Sequence, residues 1–363
     1  MKKKVLSFLL AATLAGGLLT GCGKASNDNA GSDTSAQGKE TTAAAEKETD
    51  KQTKDTEAAT DQETEKEAVT LRLADMSVYG IAIFNYAKEI GLLDDYFDDL
   101  DQYDITIELS EWASGVDQNT AYAAGEIDFS SMGNIPAVTG ASNGYGTRIL
   151  AVNYLYDDEY VLVAREGSGI ENVEDLVGKS VGTYVGTVSH YAVAKYLEYA
   201  GLTINDVNLL NVGSETVTSL RSGDIDAGVL GNVVAEQLQQ DGSAYIVSAE
   251  KVPIYNYVVG NEEFTKEYPD ITVRVLQLIN DTWDYVLDHQ EEYEAFYADA
   301  SGIELDTVKA AWADNFPIKS AKDFDEDDYT AYVEFVDWMK SVEYVSDDID
   351  ADSLLDLTFV KQL

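Results

Sequence analysis

The sequence predicts an α/β fold of two similar lobes, each a doubly wound, mostly parallel sheet, with C-terminal helices packed on the first lobe. One observation is an internal repeat, because residues 223–232 match residues 125–134 at five of ten positions. Each copy has the pattern of a glycine that stops a helix, a short apolar strand and a Gly-Asn turn. The other observations are strand–helix alternation from residue 69, which favours parallel sheets, and helical periodicity after residue 260.

The N-terminus has the pattern of an exported lipoprotein. Three lysines precede a short apolar run at 5–14, and small residues lead from it to Cys22, the single cysteine. The run is too short to span a membrane and is typical of a signal peptide, here 1–21. Residues 19–22, Leu-Thr-Gly-Cys, resemble the bacterial lipobox, which implies cleavage before Cys22 and a diacylglyceryl group on its sulfur. An ordinary signal peptide with a chance cysteine is the alternative.

The folded part is predicted to begin near residue 69. Between Cys22 and residue 68 the chain is mostly Ala, Thr, Ser, Gly, Asp, Glu and Lys, so it cannot bury enough apolar surface to offset its ordering entropy. We interpret this segment as a lipidated cysteine followed by a disordered acidic tether, with an r.m.s. span of roughly 35–40 Å. The predicted lobes are 69–160 together with 252–363 for the first, and 161–251 for the second.

The charge balance is strongly acidic, with 67 Asp and Glu against 24 Lys and Arg and a net charge of −43. We expect no nucleic-acid partner, because a surface this negative would repel the phosphates, which bind to Lys and Arg side chains. The acidic runs at 94–101, 323–328 and 347–352 lack the spaced ligands and central glycine of a calcium loop. We interpret them as solvated surface.

The loops that follow the first three predicted strands carry candidate ligand-binding residues. The strands lie at 69–74, 103–109 and 127–131, and right-handed crossovers would bring their carboxyl ends to one edge of the sheet. Ligands bind at this edge in open α/β sheets. Core packing is the alternative for the tryptophan. The candidates are Tyr79, Trp112, Ser114, Gly133 and Asn134.

The second lobe offers a similar loop after a strand at 181–184. Residues 186–190 open a predicted helix, whose first-turn N–H groups favour an acceptor or an anion. Plain N-capping is the alternative for the two hydroxyls. The candidates here are Tyr184, Thr187, Ser189 and His190, together with Asn232 at the end of the repeated strand.

Catalysis is disfavoured by what these loops contain. Residues 76–80, 112–116, 130–136, 183–190 and 229–232 include no Lys, Arg, Asp or Glu, so they suit binding better than acid–base chemistry. The two histidines form no zinc motif. Val173 replaces the first glycine of a phosphate loop, and the Gly-x-Ser-x-Gly at 140–144 lacks the strand before it that a nucleophile elbow needs. We therefore expect no cofactor, no metal and no enzymatic activity.

Three segments, 173–181, 186–190 and 222–227, resemble the extracytoplasmic solute-binding proteins of ABC importers, in the SsuA/TauA/nitrate-binding and NMT1/THI5-like branch. The resemblance implies a type II periplasmic-binding-protein-like fold, a ligand enclosed between the lobes by hinge motion, and a membrane permease as partner. We expect a monomer. His190 falls where this branch often has a histidine facing the cleft. Where the branch often has Trp-Asp-Pro, this chain has Gly-Asn-Val at 231–233.

The ligand class stays open at this point. A sulfonate-like oxoanion would be held by helix N-termini and hydroxyls, whereas a planar heterocycle such as a thiamine precursor would stack on Trp112, Tyr79 or Tyr184. A pyrimidine-synthesising enzyme of the THI5 type is disfavoured, because it would need a cysteine-rich motif. A surface module that binds another protein is the remaining alternative.

Overall fold

The computed structural model describes residues 66–76, 82–156, 159–248, 250–313, 316 and 325–363. The predictions for the signal peptide, for Cys22, for residues 23–65 of its tether and for Tyr79 fall outside these residues. Glu67 and Ala68, the last two residues of the predicted tether, belong instead to the first strand. Within the described ranges no helix combines the length and the apolar character that crossing a membrane requires.

Ten strands in the described residues form two five-stranded sheets. The first sheet has the order β2-β1-β3-β10-β4, and the second has the order β7-β6-β8-β5-β9. The strands are β1 Glu67–Met76, β2 Tyr103–Trp112, β3 Phe129–Gly133, β4 Thr147–Tyr156, β5 Tyr160–Arg165, β6 Ser180–Thr183, β7 Asn208–Asn211, β8 Ala227–Gly231, β9 Ala244–Ile246 and β10 Ile254–Asn261.

The two sheets have the same topology. In each, three parallel strands are followed by one antiparallel strand, β10 in the first sheet and β5 in the second, and then by an edge strand. The chain leaves the first sheet after β4 and returns to it through β10. The predicted two-lobe fold of mostly parallel sheets is confirmed, while the lobe boundaries at 160/161 and 251/252 stay predictions.

Helices follow most strands, and the longest lie in the C-terminal part. They are α1 Ile83–Glu89, α2 Gly115–Ala124, α3 Asn134–Ser142, α4 Val188–Tyr199, α5 Thr216–Ser222, α6 Asn232–Gln240, α7 Glu262–Glu267, α8 Pro269–Asp288, α9 Gln290–Ser301, α10 Leu305–Trp312 and α11 Glu326–Ser341.

The sequence repeat is also a structural repeat. Gly125 and Gly223 end α2 and α5 with φ angles of 73° and 82°, a left-handed conformation that suits glycine. The strands that follow, β3 and β8, are the third strand of their respective sheets. Asn134 and Asn232 are then the first residues of α3 and α6. Each lobe thus presents one Gly-Asn turn at the carboxyl end of its central strand.

The C-terminal helices complete the first lobe, as predicted. Trp283 of α8 is buried in the same cluster as Leu73 and Phe129 of the first sheet. Tyr332 and Phe335 of α11 are buried on the other face of that sheet, in the cluster that contains Val152 and Tyr257. Burying side chains of this size is among the largest contributions that a single residue makes to stability.

Candidate functional site

The carboxyl ends of the first-lobe strands lie side by side, as the sequence predicts. Met76 pairs with Trp112 at the ends of β1 and β2. Gly115, the first residue of α2, packs so closely on Pro136 of α3 that a Cβ there would lie 2.4 Å from the proline Cγ. The loops after β2 and β3 therefore converge.

Two of the candidates at this edge have local partners. Ser114 is buried, and its Oγ accepts a hydrogen bond from the Asp117 backbone N–H at 3.2 Å, so it is the N-cap of α2. Trp112 is half-buried against the core of this lobe, and its indole N–H donates to Ser110 Oγ at 3.0 Å. Both roles stabilise the edge, and a ligand contact by either residue stays a prediction.

The Gly-Asn turn of the first lobe touches the second lobe directly. A Cβ on Gly133 would lie 2.2 Å from Val188 Cγ2, at the first residue of α4. The next residue, Asn134, is buried, and its Oδ1 accepts from the Ile135 backbone N–H at 2.9 Å. The structure therefore places Gly133 and Asn134 beside the predicted second-lobe loop.

The hydroxyls of that loop are engaged within it. Thr187 Oγ1 donates to the Tyr184 carbonyl at 2.7 Å, and Ser189 Oγ accepts from the Tyr184 backbone N–H at 3.2 Å. The two hydroxyls lie 3.0 Å apart. Thr187 is the N-cap residue of α4, although its side chain does not make the capping bond. These contacts fix the shape of the loop, and Tyr184 stays half-buried at its start.

His190 is held by a residue that the sequence did not indicate. Its Nδ1 is hydrogen-bonded to the hydroxyl of Tyr344, which follows α11, and the two rings lie 5.4 Å apart. Burial lowers the pKa of His190, which favours the neutral imidazole. The neighbouring Tyr191 packs edge-on against Phe335 and Trp338 of α11, at 5.0 and 4.8 Å. We call these contacts the α4–α11 clasp.

Removing the Tyr344 hydroxyl is expected to weaken this clasp. Tyr344→Phe keeps the ring but leaves the buried His190 Nδ1 without its partner, which costs about 1–3 kcal/mol. Denaturant unfolding of the variant measures the loss. Tyr145→Phe is the control, since Tyr145 is an exposed residue in the turn after α3. Equal stability of the two variants would contradict the role given to Tyr344.

Asn232 has different neighbours from its counterpart in the repeat. Its Nδ2 donates to the Tyr156 hydroxyl at 2.5 Å and to the Ala311 carbonyl at 3.3 Å, and its backbone N–H donates to the Glu159 carbonyl at 2.8 Å. The residue is 8% exposed. It therefore joins β4, β5 and α10 where the chain passes between the sheets, and a ligand contact by it stays a prediction.

Two buried carboxyls, which the sequence does not indicate, border the candidate loops; both lie outside the loops, and no motif marks them. Asp75 lies near the end of β1 and accepts from the backbone N–H groups of Phe84 and Asn85, at 3.3 and 2.8 Å. Burial raises its pKa to about 7 despite these bonds. Glu159 precedes β5, and its Oε1 accepts from the Tyr154 hydroxyl at 3.0 Å. Burial raises its pKa to about 7 as well.

A buried polar network crosses the first sheet behind this edge. Ser131 Oγ donates to Asn256 Oδ1 at 2.6 Å, and Asn153 Nδ2 donates to Ser131 Oγ at 2.7 Å. The Trp283 indole N–H donates to Asn153 Oδ1 at 2.9 Å. These bonds join β3, β4, β10 and α8, so they hold the strand through which the chain returns to the first lobe. Such networks rigidify a core when their members are satisfied.

The family follows from a comparison with known protein families. Residues 94–293 match the family described as NMT1/THI5 like, which is more than half of the chain. The chain belongs to the NMT1/THI5-like family. Within the described residues of this NMT1/THI5-like protein, no group of three or more His, Cys, Asp or Glu side chains is arranged to hold a metal ion.

Relatives of this NMT1/THI5-like chain carry names from two functional classes. A Bacillus subtilis (strain 168) protein, named as an aliphatic sulfonates-binding protein, is 24% identical over 76% of this chain and 83% of its own length. The taurine-binding periplasmic protein of Escherichia coli (strain K12) is 22% identical over 46% of this chain and 53% of its own length. A Saccharomyces cerevisiae 4-amino-5-hydroxymethyl-2-methylpyrimidine phosphate synthase is 24% identical over 58% of this chain and 64% of its own length.

Solved structures agree on the fold. The periplasmic aliphatic sulphonate binding protein SsuA from Escherichia coli superposes with a TM-score of 0.66 and 17% identity, over 79% of this chain and 92% of SsuA. The alkanesulfonate-binding protein SsuA from Xanthomonas axonopodis pv. citri superposes with a TM-score of 0.64 and 16% identity, over 82% of this chain and 98% of that protein. These similarities establish the two-lobe periplasmic-binding-protein fold.

Proposed function

We propose that the protein is the solute-binding component of an ABC importer and captures a small sulfonate-like solute between its lobes. The observation that carries this proposal is the pair of equivalent sheets, whose central strands both end in a Gly-Asn turn at the lobe boundary. The names of the Bacillus and E. coli relatives support the sulfonate class. The solute-binding role is favoured over catalysis, since the candidate loops contain no acid–base residue apart from His190.

The loops have the chemistry to hold an oxoanion without a cationic side chain. The first-turn backbone N–H groups of a helix, together with the helix dipole, favour negative charge. The twelve-residue α4 begins at Val188, beside Gly133 of the other lobe. The hydroxyls of Thr187 and Ser189 lie at this point, and the half-buried Tyr184 begins the same loop. A compact anion with a short apolar part would match both kinds of group.

The remaining parts of the proposal concern location and partners. A lipid on Cys22 would hold the protein outside the cytoplasmic membrane, with residues 22–68 as the tether. The solute would be passed to a membrane permease, and the protein would act as a monomer without a cofactor. The high negative charge favours solubility outside the cell and opposes binding to nucleic acid.

A heterocyclic solute is the second candidate. The half-buried Trp112 and Tyr184 provide ring faces on which a pyrimidine could stack. The name of the yeast relative refers to a pyrimidine. Synthesis of such a compound is disfavoured for this chain, because it would need a cysteine-rich motif and Cys22 is the single cysteine.

Thermal unfolding in the presence of candidate solutes tests the ligand class. A solute that binds the folded state is expected to stabilise the purified protein by about 2.7 kcal/mol when present at about one hundred times its dissociation constant. The panel includes alkanesulfonates, taurine, nitrate and pyrimidines, with sodium chloride at equal ionic strength as control. A shift by sulfonates alone supports the first candidate, and a shift by pyrimidines alone supports the second. An unchanged melting curve with every solute would contradict both.

A further inference from the structure

Glu159 occupies the place where the two lobes are joined. It precedes β5, and its carbonyl accepts the backbone N–H of Asn232 at 2.8 Å, beside the Gly-Asn turn of the second lobe. Its side chain is directed to the first lobe, where Oε1 accepts from the hydroxyl of Tyr154 on β4. Glu159 therefore lies at the junction of the lobes, with its backbone bonded to the second lobe and its side chain bonded to the first.

One oxygen of this carboxyl has no partner. Oε2 of Glu159 is buried, and within the described residues no donor lies within hydrogen-bonding distance of it. Burial and the Tyr154 hydroxyl are the only influences on the pKa of Glu159 among these residues, so no lysine or arginine compensates the charge. An uncompensated buried carboxylate is unfavourable and is rarely found without a function.

Asp75 shows that the fold can satisfy a buried carboxyl when its role is structural. One of its oxygens accepts from the Phe84 backbone N–H, and the other accepts from the backbone and side-chain N–H groups of Asn85. These bonds order the start of α1. Among the described residues Glu159 accepts one such bond, which leaves its second oxygen for a group from outside the chain.

Aromatic side chains surround this part of the molecule. Tyr154 packs against Trp283 at 5.9 Å, and burial, together with the neighbouring Glu159, raises the pKa of the Tyr160 phenol. Nearby, Tyr293 stacks on Trp312 at 5.9 Å, and the buried indole N–H of Trp312 likewise has no partner among the described residues. Ring faces attract cations as a carboxylate does. A carboxyl group close to such rings is suited to a positively charged nitrogen, which would compensate its charge.

We propose that Glu159 binds a cationic nitrogen of the solute, so that the preferred solute carries an amine or a protonated ring nitrogen in addition to any anionic group. This inference rests on the proposed function, since it requires the solute to lie between the lobes. It adds that the cleft distinguishes solutes by a positive charge as well as by a negative one.

Calorimetric titration with two sulfonates of the same shape tests the inference. Taurine carries an ammonium group where propane-1-sulfonate carries a methyl group. The wild-type protein is expected to bind taurine at least about tenfold more tightly, the usual value of one charge-assisted hydrogen bond. Glu159→Gln is expected to bring this ratio close to one by weakening taurine alone. Glu171→Gln, at an exposed carboxyl of the second lobe, is expected to keep the wild-type ratio.

Every other outcome of these titrations either supports or overturns the role proposed for Glu159. Equal binding of the two sulfonates by the wild type, or an unchanged ratio in Glu159→Gln, overturns the inference and leaves the proposed function intact. If neither sulfonate binds, the sulfonate class fails, and 4-aminopyrimidine is compared with pyrimidine instead. A preference for the amino compound that depends on Glu159 then supports the inference, and its absence overturns it. Glu159→Asp, which keeps the charge, serves as second variant if the glutamine variant does not fold.

Discussion

Gly133→Ala is expected to weaken both the stability of the protein and its affinity for the solute. The new methyl group would lie 2.2 Å from Val188 Cγ2. Valine has little freedom to rotate, so the first turn of α4 must move away from the first lobe. Overpacking of this kind costs about 1–3 kcal/mol. The backbone at Gly133 has a φ of −63°, which alanine adopts without strain, so the effect isolates the contact between the lobes.

The repeat provides a matched control. Gly231 is the equivalent residue of the second lobe, and among the described residues a Cβ there would meet the Glu159 carbonyl alone, at an ordinary 3.8 Å. Gly231→Ala is therefore expected to unfold at nearly the wild-type denaturant concentration. Val188→Ala should restore most of the stability lost by Gly133→Ala, which a double-mutant cycle measures. If the two glycine variants behave alike, Gly133 is not a point of contact between the lobes.

The stability of the wild type relative to Glu159→Gln is expected to fall as the pH rises. The pKa of Glu159 is raised by burial from 4.5 to about 7, so the folded state binds this proton more tightly than the unfolded state. The stabilisation that the folded state gains from this proton is fully present below about pH 4.5, and it is lost as the pH rises through about 7. The shift corresponds to about 3 kcal/mol, and glutamine removes the dependence.

Urea unfolding between pH 4.5 and pH 8, without solute, measures this effect. From pH 4.5 to pH 8, the free energy of unfolding of Glu159→Gln is expected to increase by about 3 kcal/mol relative to that of the wild type. Repulsion among the many surface carboxylates changes in nearly the same way in both proteins, so it cancels. Glu171→Gln, at an exposed carboxyl, should show no such change relative to wild type. A constant difference for Glu159→Gln would mean that its carboxyl is not buried in solution.

The fold could be predicted because its signals are local and repeated. A glycine that ends a helix, an apolar strand and a Gly-Asn turn are adjacent in the sequence, and two copies of them define two equivalent sheets. The position of His190 in the first turn of α4 was predicted for the same reason. These features depend on backbone geometry, which short patterns encode well.

The partners of the site residues could not be predicted, because they come from distant parts of the chain. Tyr344 lies 154 positions from His190, in a segment without a recognisable motif. It is one of 23 tyrosines, so composition gave no reason to select it. Glu159 precedes a strand, whereas the candidate loops follow strands. Its significance depends on burial and on an unpartnered oxygen, which only the three-dimensional structure shows.

The C-terminal helices have a consequence for folding cooperativity. On one side Trp312 of α10 lies in the same buried cluster as Val233 and Val234 of α6, and on the other the α4–α11 clasp joins Tyr191 to Phe335. The second lobe therefore cannot unfold without exposing aromatic surface that belongs to the first. Although the chain forms two sheets, the C-terminal third of the sequence therefore couples the unfolding of one to that of the other.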